Sequence, residues 1–235
     1  MNLSQLFDFA NFNQKLNFKM LSFQDFFTAC AGLWKTERIY HFLLTGEIER
    51  SYTEFRADQL NSAEKQHILT GSSAASTPFP GIKIDLDPLT RDPSTCPGFA
   101  IAFDTRSETG EEVSMSLKAL FVPDRYVQEA TLESMPLPLA ARIPNDTSEI
   151  IQGFYLRDQG YSEAGAIAGR FTYQPTRQTL EMTTYYNRSV AVDQMRFVTP
   201  DVRMRTIVTY QRPTDGSLPT VIDLIGFGVE RKHTT

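Results

Sequence analysis

By its sequence the chain is all-β: an antiparallel up-and-down barrel, or a sandwich, behind one short helix. Three observations lead there. Helical spacing of apolar residues occurs with conviction once, between Ser22 and Gly32. From Trp34 onward, β-branched and aromatic residues come in short runs instead. Turn residues separate those runs, as at Glu108-Thr109-Gly110, Gln174-Pro175-Thr176 and Pro213-Thr214-Asp215-Gly216. Many short strands joined by tight turns close into a barrel or stack as two sheets.

Residues 1–20 carry scattered apolar side chains, among them Leu3, Phe7 and Phe12, without a clean period. They read as an N-terminal extension, or as sequence upstream of a natural start at Met20. Residues 21–235 show no linker and are expected to form one barrel domain. Phe23, Phe26, Phe27, Cys30, Ala31 and Trp34 follow the spacing of one helical face. Ser22 is placed to cap that helix, Asp25 stands three residues on as in a capping box, and Gly32 can end it. Strands are then expected near 34–44, 47–56, 81–86, 98–104, 112–122, 126–133, 149–157, 165–174, 178–187, 189–198, 201–212 and 220–230. The segment 71–97 is rich in Ser, Thr, Pro and Asp and reads as loop around one short strand, 82–86.

Composition narrows the function. A chain of 235 residues is long enough for a substantial core, and its formal charge of -5 argues against a nucleic-acid partner, which needs clustered positive charge. Cys30 and Cys96 are too few for a disulfide framework. His41, His67 and His233 have no metal-ligand spacing with them, so no metal site is expected. The first 20 residues make a poor signal peptide, and no window reaches the roughly 18 apolar residues of a spanning helix. No nucleophile triad or phosphate-cradling glycine loop is present.

What remains is polar residues inside strand-like sequence. The stretch 193–210 reads as a hairpin turning at Thr199-Pro200-Asp201. In its second arm Arg203 and Arg205 share one face, with Cα atoms about 6.5 Å apart, while Val202, Met204 and Val208 share the other. Periodicity alone turns the arginines to water and the apolar row to the core; the alternative puts two guanidiniums in a cavity. Asp193 sits in the first arm on one face with Met195 and Phe197. Neutral, it can donate a proton; beside an arginine it ionises and can pair with a cationic nitrogen. Arg38 and His41, three apart, point to opposite faces of a flat strand, so both reach one cavity only across a bulge or at a strand end. Glu37, Asp104, Arg157 and Asp158 read as solvated surface.

Four segments together resemble the S/U-type phycobiliprotein lyases, which attach open-chain tetrapyrrole bilins to cysteines of light-harvesting proteins. They are F-F-T-A-C-A-G-L-W-K-T-E-R-I-Y-H from 26 to 41, G-F-A-I-A-F-D from 98 to 104, L-R-D-Q-G-Y-S-E from 156 to 163, and R-F-V-T-P-D-V-R-M-R-T from 196 to 206. The resemblance runs from about Phe23 to Glu230. It implies a lipocalin-like barrel with the Arg-x-Arg strand facing the cavity. It also implies a bilin site bordered by Arg38, His41, Phe103, Asp193, Arg203 and Arg205, in which Asp193 is the candidate catalytic residue, holding the bilin protonated at its pyrrole nitrogens. The chain departs from the family in three places. Asp193 stands where the acid is often Glu, Phe103 near a common tryptophan, and Ile207 where some members carry a small hydroxyl residue.

By the same resemblance, a phycocyanobilin-type bilin is the substrate and no cofactor is permanently bound. The partners are phycobiliprotein subunits of phycocyanin or allophycocyanin type, with a second lyase subunit or a second copy as a possible helper. The place of action is the cyanobacterial cytoplasm or a plastid stroma, without membrane insertion. A carrier that binds a hydrophobic acid and catalyses nothing, or an assisting subunit of a two-protein lyase, is the alternative.

Overall fold

The computed structural model describes residues 20–71, 78–131, 136–142, 149–161 and 163–233. The extension expected over 1–20 lies outside them except for Met20. Helix α1 (Phe23–Cys30) forms as its caps and spacing require: the Ser22 side chain accepts from the Asp25 N–H, and Phe23, Phe26, Phe27 and Cys30 are its buried residues. Gly32, at φ +113°, turns the chain out of the helix into β1.

The strands are β1 (Gly32–Phe42), β2 (Ile48–Gln59), β3 (Ile82–Ile84), β4 (Gly98–Ser107), β5 (Glu112–Pro123) and β6 (Val127–Ala130). They continue as β7 (Ile151–Arg157), β8 (Ile167–Gln174), β9 (Thr179–Tyr185), β10 (Ser189–Thr199), β11 (Val202–Gln211) and β12 (Ile222–His233). Ten of them close a barrel in the order β1-β12-β11-β10-β9-β8-β7-β5-β4-β2, every neighbouring pair antiparallel. Closure leaves no unpaired sheet edge. β3 and β6 pair with each other outside it.

Helix α1 stoppers one end of the barrel. Phe27 packs against Phe99 and Phe121, Phe23 stacks on Phe171, and Phe26 meets Phe197 edge-on. Each fully buried phenylalanine contributes about 1.5–3 kcal/mol. Lys232 Nζ donates to the Ala29 carbonyl near the helix C-terminus, where a cation complements the exposed carbonyls.

Three expectations need correction. A second helix, α2 (Ser62–Thr70), follows β2, with a full capping box between Asn61 and Glu64 and Gly71 at its end. It lacks an apolar stripe, burying only Lys65 and Ile68, so periodicity could not announce it. The strand expected over 82–86 stops at Ile84, and α3 (Leu86–Arg91) begins under the Asp85 cap. The strand expected over 126–133 shortens to β6 behind a 3-10 turn at Asp124–Tyr126, and 132–133 lie outside the described residues. These added elements build a second core on the outside of the barrel, where Leu60, Ile68, Phe79 and Leu89 cover Leu120, Phe154 and Leu156. Over β1, β12 and β11 the outer face is barer: Met204, Phe227 and Val229 are each close to half exposed.

Candidate functional site

Alternation along the strands decides which side chains enter the barrel. Arg203, Arg205, Ile207 and Thr209 of β11 line its cavity, together with Ala191, Asp193 and Met195 of β10. The turn at Pro200-Asp201 and a bulge between Phe197 and Thr199 set the hairpin register, with Asp193 opposite Ile207 and Met195 opposite Arg205. The apolar row therefore faces out, reversing what periodicity alone favours. Val208 packs with Val192 and Tyr210, whereas Met204 stays exposed. The cavity is about 390 Å³, within the range of small-molecule sites, and its walls include Phe55, Phe99, Ile101, Phe103 and Tyr155.

One side of the interior holds an ion network. Asp193 takes Arg205 in a bidentate pair diagonal across the hairpin: Nε donates to Oδ1 at 2.8 Å and Nη2 donates to Oδ2. Arg203 lies directly opposite Glu230 of β12 and donates Nε to its Oε2 at 2.5 Å. Glu230 Oε1 accepts from Arg38 Nη2 at 3.2 Å and stands 3.7 Å from Arg205 Nη1. The Arg203 guanidinium also lies 4.0 Å above the Trp34 ring and 4.9 Å from the Phe55 ring. Glu230 has no exposed surface. Burial alone would raise its pKa, but Arg203, Arg205 and Arg38 outweigh burial and hold it at about 2.

The glycines of β12 make room for this. A methyl on Gly226 would sit 2.6 Å from the Tyr40 ring, and one on Gly228 would sit 2.8 Å from the Glu37 carbonyl and 3.0 Å from Arg38 Cγ. I-G-F-G-V-E thus puts two glycines and an acid on the inner face and Phe227 and Val229 on the outer.

Of the residues singled out in the sequence, Arg38, Phe103, Asp193, Arg203 and Arg205 line the cavity. His41 does not. The β1 register with both neighbours is unbroken, so no bulge turns it inward, and its ring stacks on Phe227 outside at 5.8 Å. Tyr40 takes the inward place. Arg157 corrects the reading in the other direction: it is 1% exposed and lines the cavity. Glu37 and Asp104 are exposed on strands, and Asp158 accepts the Lys118 N–H at the surface. Glu230 was missed because an acid at the end of a predicted strand carries no sign of burial. Its signal is the inner-face parity it shares with Gly226 and Gly228. Both cysteines are buried free thiols, and burial pushes them up to about 11 for Cys30 and about 12 for Cys96.

A closed barrel with an aromatic, arginine-rich interior stoppered at one end defines a lipocalin-like ligand-binding protein. A family profile described as CpeS-like protein matches residues 137–233. "Chromophore lyase CpcS/CpeS 1" of Synechococcus sp. (strain JA-3-3Ab) is 37% identical over 212 residues, 90% of this chain and 97% of that protein. "Chromophore lyase CpcS/CpeS 2" of Paulinella chromatophora is 35% identical over 57 residues, 24% of this chain and 28% of that one. The chain belongs to the CpcS/CpeS chromophore lyase family. Among solved structures, the S-type phycobiliprotein lyase CPES from Guillardia theta matches with a TM-score of 0.56 at 17% identity, covering 92% of this chain and 94% of that one, a likeness of fold.

Proposed function

We propose that the barrel binds a bilin of phycocyanobilin type and catalyses its thioether attachment to a cysteine of a phycobiliprotein subunit, of phycocyanin or allophycocyanin type. The observation that carries this reading is the charge of the cavity. Four guanidiniums (Arg38, Arg157, Arg203 and Arg205) meet two carboxylates (Asp193 and Glu230), leaving two positive charges in an aromatic interior. A bilin is apolar along its rings and carries two propionates, so it complements both features.

In this reading Phe103 packs against a pyrrole ring. Asp193, held by Arg205, keeps oxygen lone pairs for pyrrole N–H groups and so favours the protonated, cationic tetrapyrrole. Protonation makes the ethylidene carbon on ring A more electrophilic. The acceptor thiol adds there: the S–H bond and the ethylidene π bond break, a carbon–sulfur bond forms, the π electron pair and the thiol proton end on the tetrapyrrole, and nothing leaves. Cys30 and Cys96 stay protonated thiols at neutral pH, which fits a nucleophile supplied by the acceptor. The rest is positioning of ring A towards the incoming thiol. Residues 21–235 would act as one lyase domain, in the cytoplasm or stroma where the acceptor is made. The barer face around Met204, Phe227 and Val229 leaves room for a second subunit or a second copy.

The test mixes the protein, phycocyanobilin and apo-phycobiliprotein subunits and looks for a covalent, fluorescent adduct. Wild type should form it; Asp193→Asn should keep pigment and lose transfer by about 100-fold or more. A wild type that binds pigment and never transfers it is a carrier, and the catalytic reading is then wrong.

A further inference from the structure

Arg203 and Arg157 are equally hidden, but only Arg203 has an acid. Arg157 ends β7, and its guanidinium lies among three tyrosines, 4.6 Å from the Tyr161 ring, 5.3 Å from that of Tyr155 and 5.6 Å from that of Tyr186. One nitrogen, Nη2, donates to the Tyr186 hydroxyl at 2.7 Å. Among the described residues no carboxylate pairs with it, and its Nε is a buried donor without an acceptor. A buried cation without a counter-ion is destabilising, and ring faces with one hydroxyl offset that only in part.

Arg38 makes the same point at the other pole. Its Nη2 reaches Glu230, yet its Nε also has no acceptor. Among the described residues, these two nitrogens are the buried guanidinium donors left without a partner, and both belong to side chains lining the cavity. They match the two positive charges that the cavity's acids leave over.

The geometry points to Arg157 as a carboxylate anchor of the ligand, taking one propionate of the bilin while the other goes to the Arg38 pole. Arg203 and Arg205 are then positioning residues: Arg205 orients Asp193, and Arg203 with Glu230 ties β11 to β12. This assignment rests on the bilin reading, and it names Arg157 as the residue that selects a dicarboxylate over an uncharged tetrapyrrole.

The test compares phycocyanobilin with its dimethyl ester, titrated into wild type, Arg157→Gln and Arg157→Lys and followed by the visible absorbance of the bound pigment. Wild type should prefer the free acid. Arg157→Gln should lose about 10- to 100-fold in affinity for the acid, with the ester within about 3-fold of wild type. Arg157→Lys keeps the buried charge but not the planar fork, and should lose about 3- to 10-fold of the same preference. Equal losses for acid and ester would make Arg157 a packing residue and overturn the assignment. So would an unchanged acid preference in both variants; if Arg157→Gln does not fold, Arg157→Lys alone decides. Failure of wild type to bind either pigment would overturn the bilin reading itself, and is told apart because no substitution is involved.

Discussion

Arg203 and Arg157 lie on the inside of one barrel, 2% and 1% exposed, each against aromatic rings. Arg203 is closed into a pair with Glu230, whereas Arg157 meets hydroxyl and ring faces. The difference shows what burial of a cation means. A pair completed within the chain holds the barrel together; a cation without its acid is where charge from outside is received. Two glutamates repeat the lesson with the sign reversed. Glu230 and Glu181 are 0% and 3% exposed, yet guanidiniums hold Glu230 at about 2, while burial pushes Glu181 up to about 7 against the weaker effect of Gln194 and Thr183.

The substitution expected to do most is Glu230→Gln, which leaves Arg203 in the condition of Arg157 without the tyrosine cage. It should cost about 3–5 kcal/mol, read by denaturant unfolding. The pH dependence follows from the lowered pKa. Glu230 contributes fully above its ordinary value of 4.5, and that contribution drains away as the pH falls towards about 2. A Glu230→Gln protein should therefore show a flatter acid limb than wild type.

Gly228→Ala is smaller and more local. Its methyl must displace the Glu37 carbonyl or Arg38, so it should cost about 1–3 kcal/mol and weaken pigment binding through Arg38, leaving the Arg157 pole intact. The smallest effect is expected outside the cavity. Gln194 Nε2 bridges Glu181 and the Ala140 carbonyl. Because the folded chain holds the Glu181 proton more tightly than the unfolded one, stability should fall as the pH rises from 4.5 through about 7 and then level off. Glu181→Gln should thus gain about 1–2 kcal/mol at pH 8 and almost nothing at pH 5, measured as paired unfolding curves.

The strands were legible because side-chain alternation and turn chemistry agree along the chain. Pro200-Asp201 predicts its hairpin, and Ser22 with Asp25 predicts α1. Helix α2 was not, since its signal lies in Asn61, Glu64 and Gly71 at its ends rather than in an apolar stripe. For the site, the three-residue spacing of Arg38 and His41 already stated that a regular strand would separate them, and β1 is regular. Inward placement of Arg203 and Arg205 was beyond periodicity, which reads a charged face as a wet one. It came from the family resemblance. Neither source disclosed that both arginines already have acids. Glu230 lies 27 residues from Arg203, and only the register of β11 against β12 brings them together. Arg157 escaped for a like reason: a charge at a strand end looks solvated until Tyr161 and Tyr186 are seen around it.

The most direct measurement is a structure of the protein with phycocyanobilin bound. The account predicts one propionate accepting from Arg157 Nε, the other from Arg38 Nε, and pyrrole nitrogens within hydrogen-bond reach of Asp193. Propionates at the open mouth of the barrel, or one inserted between Arg203 and Glu230, would contradict it.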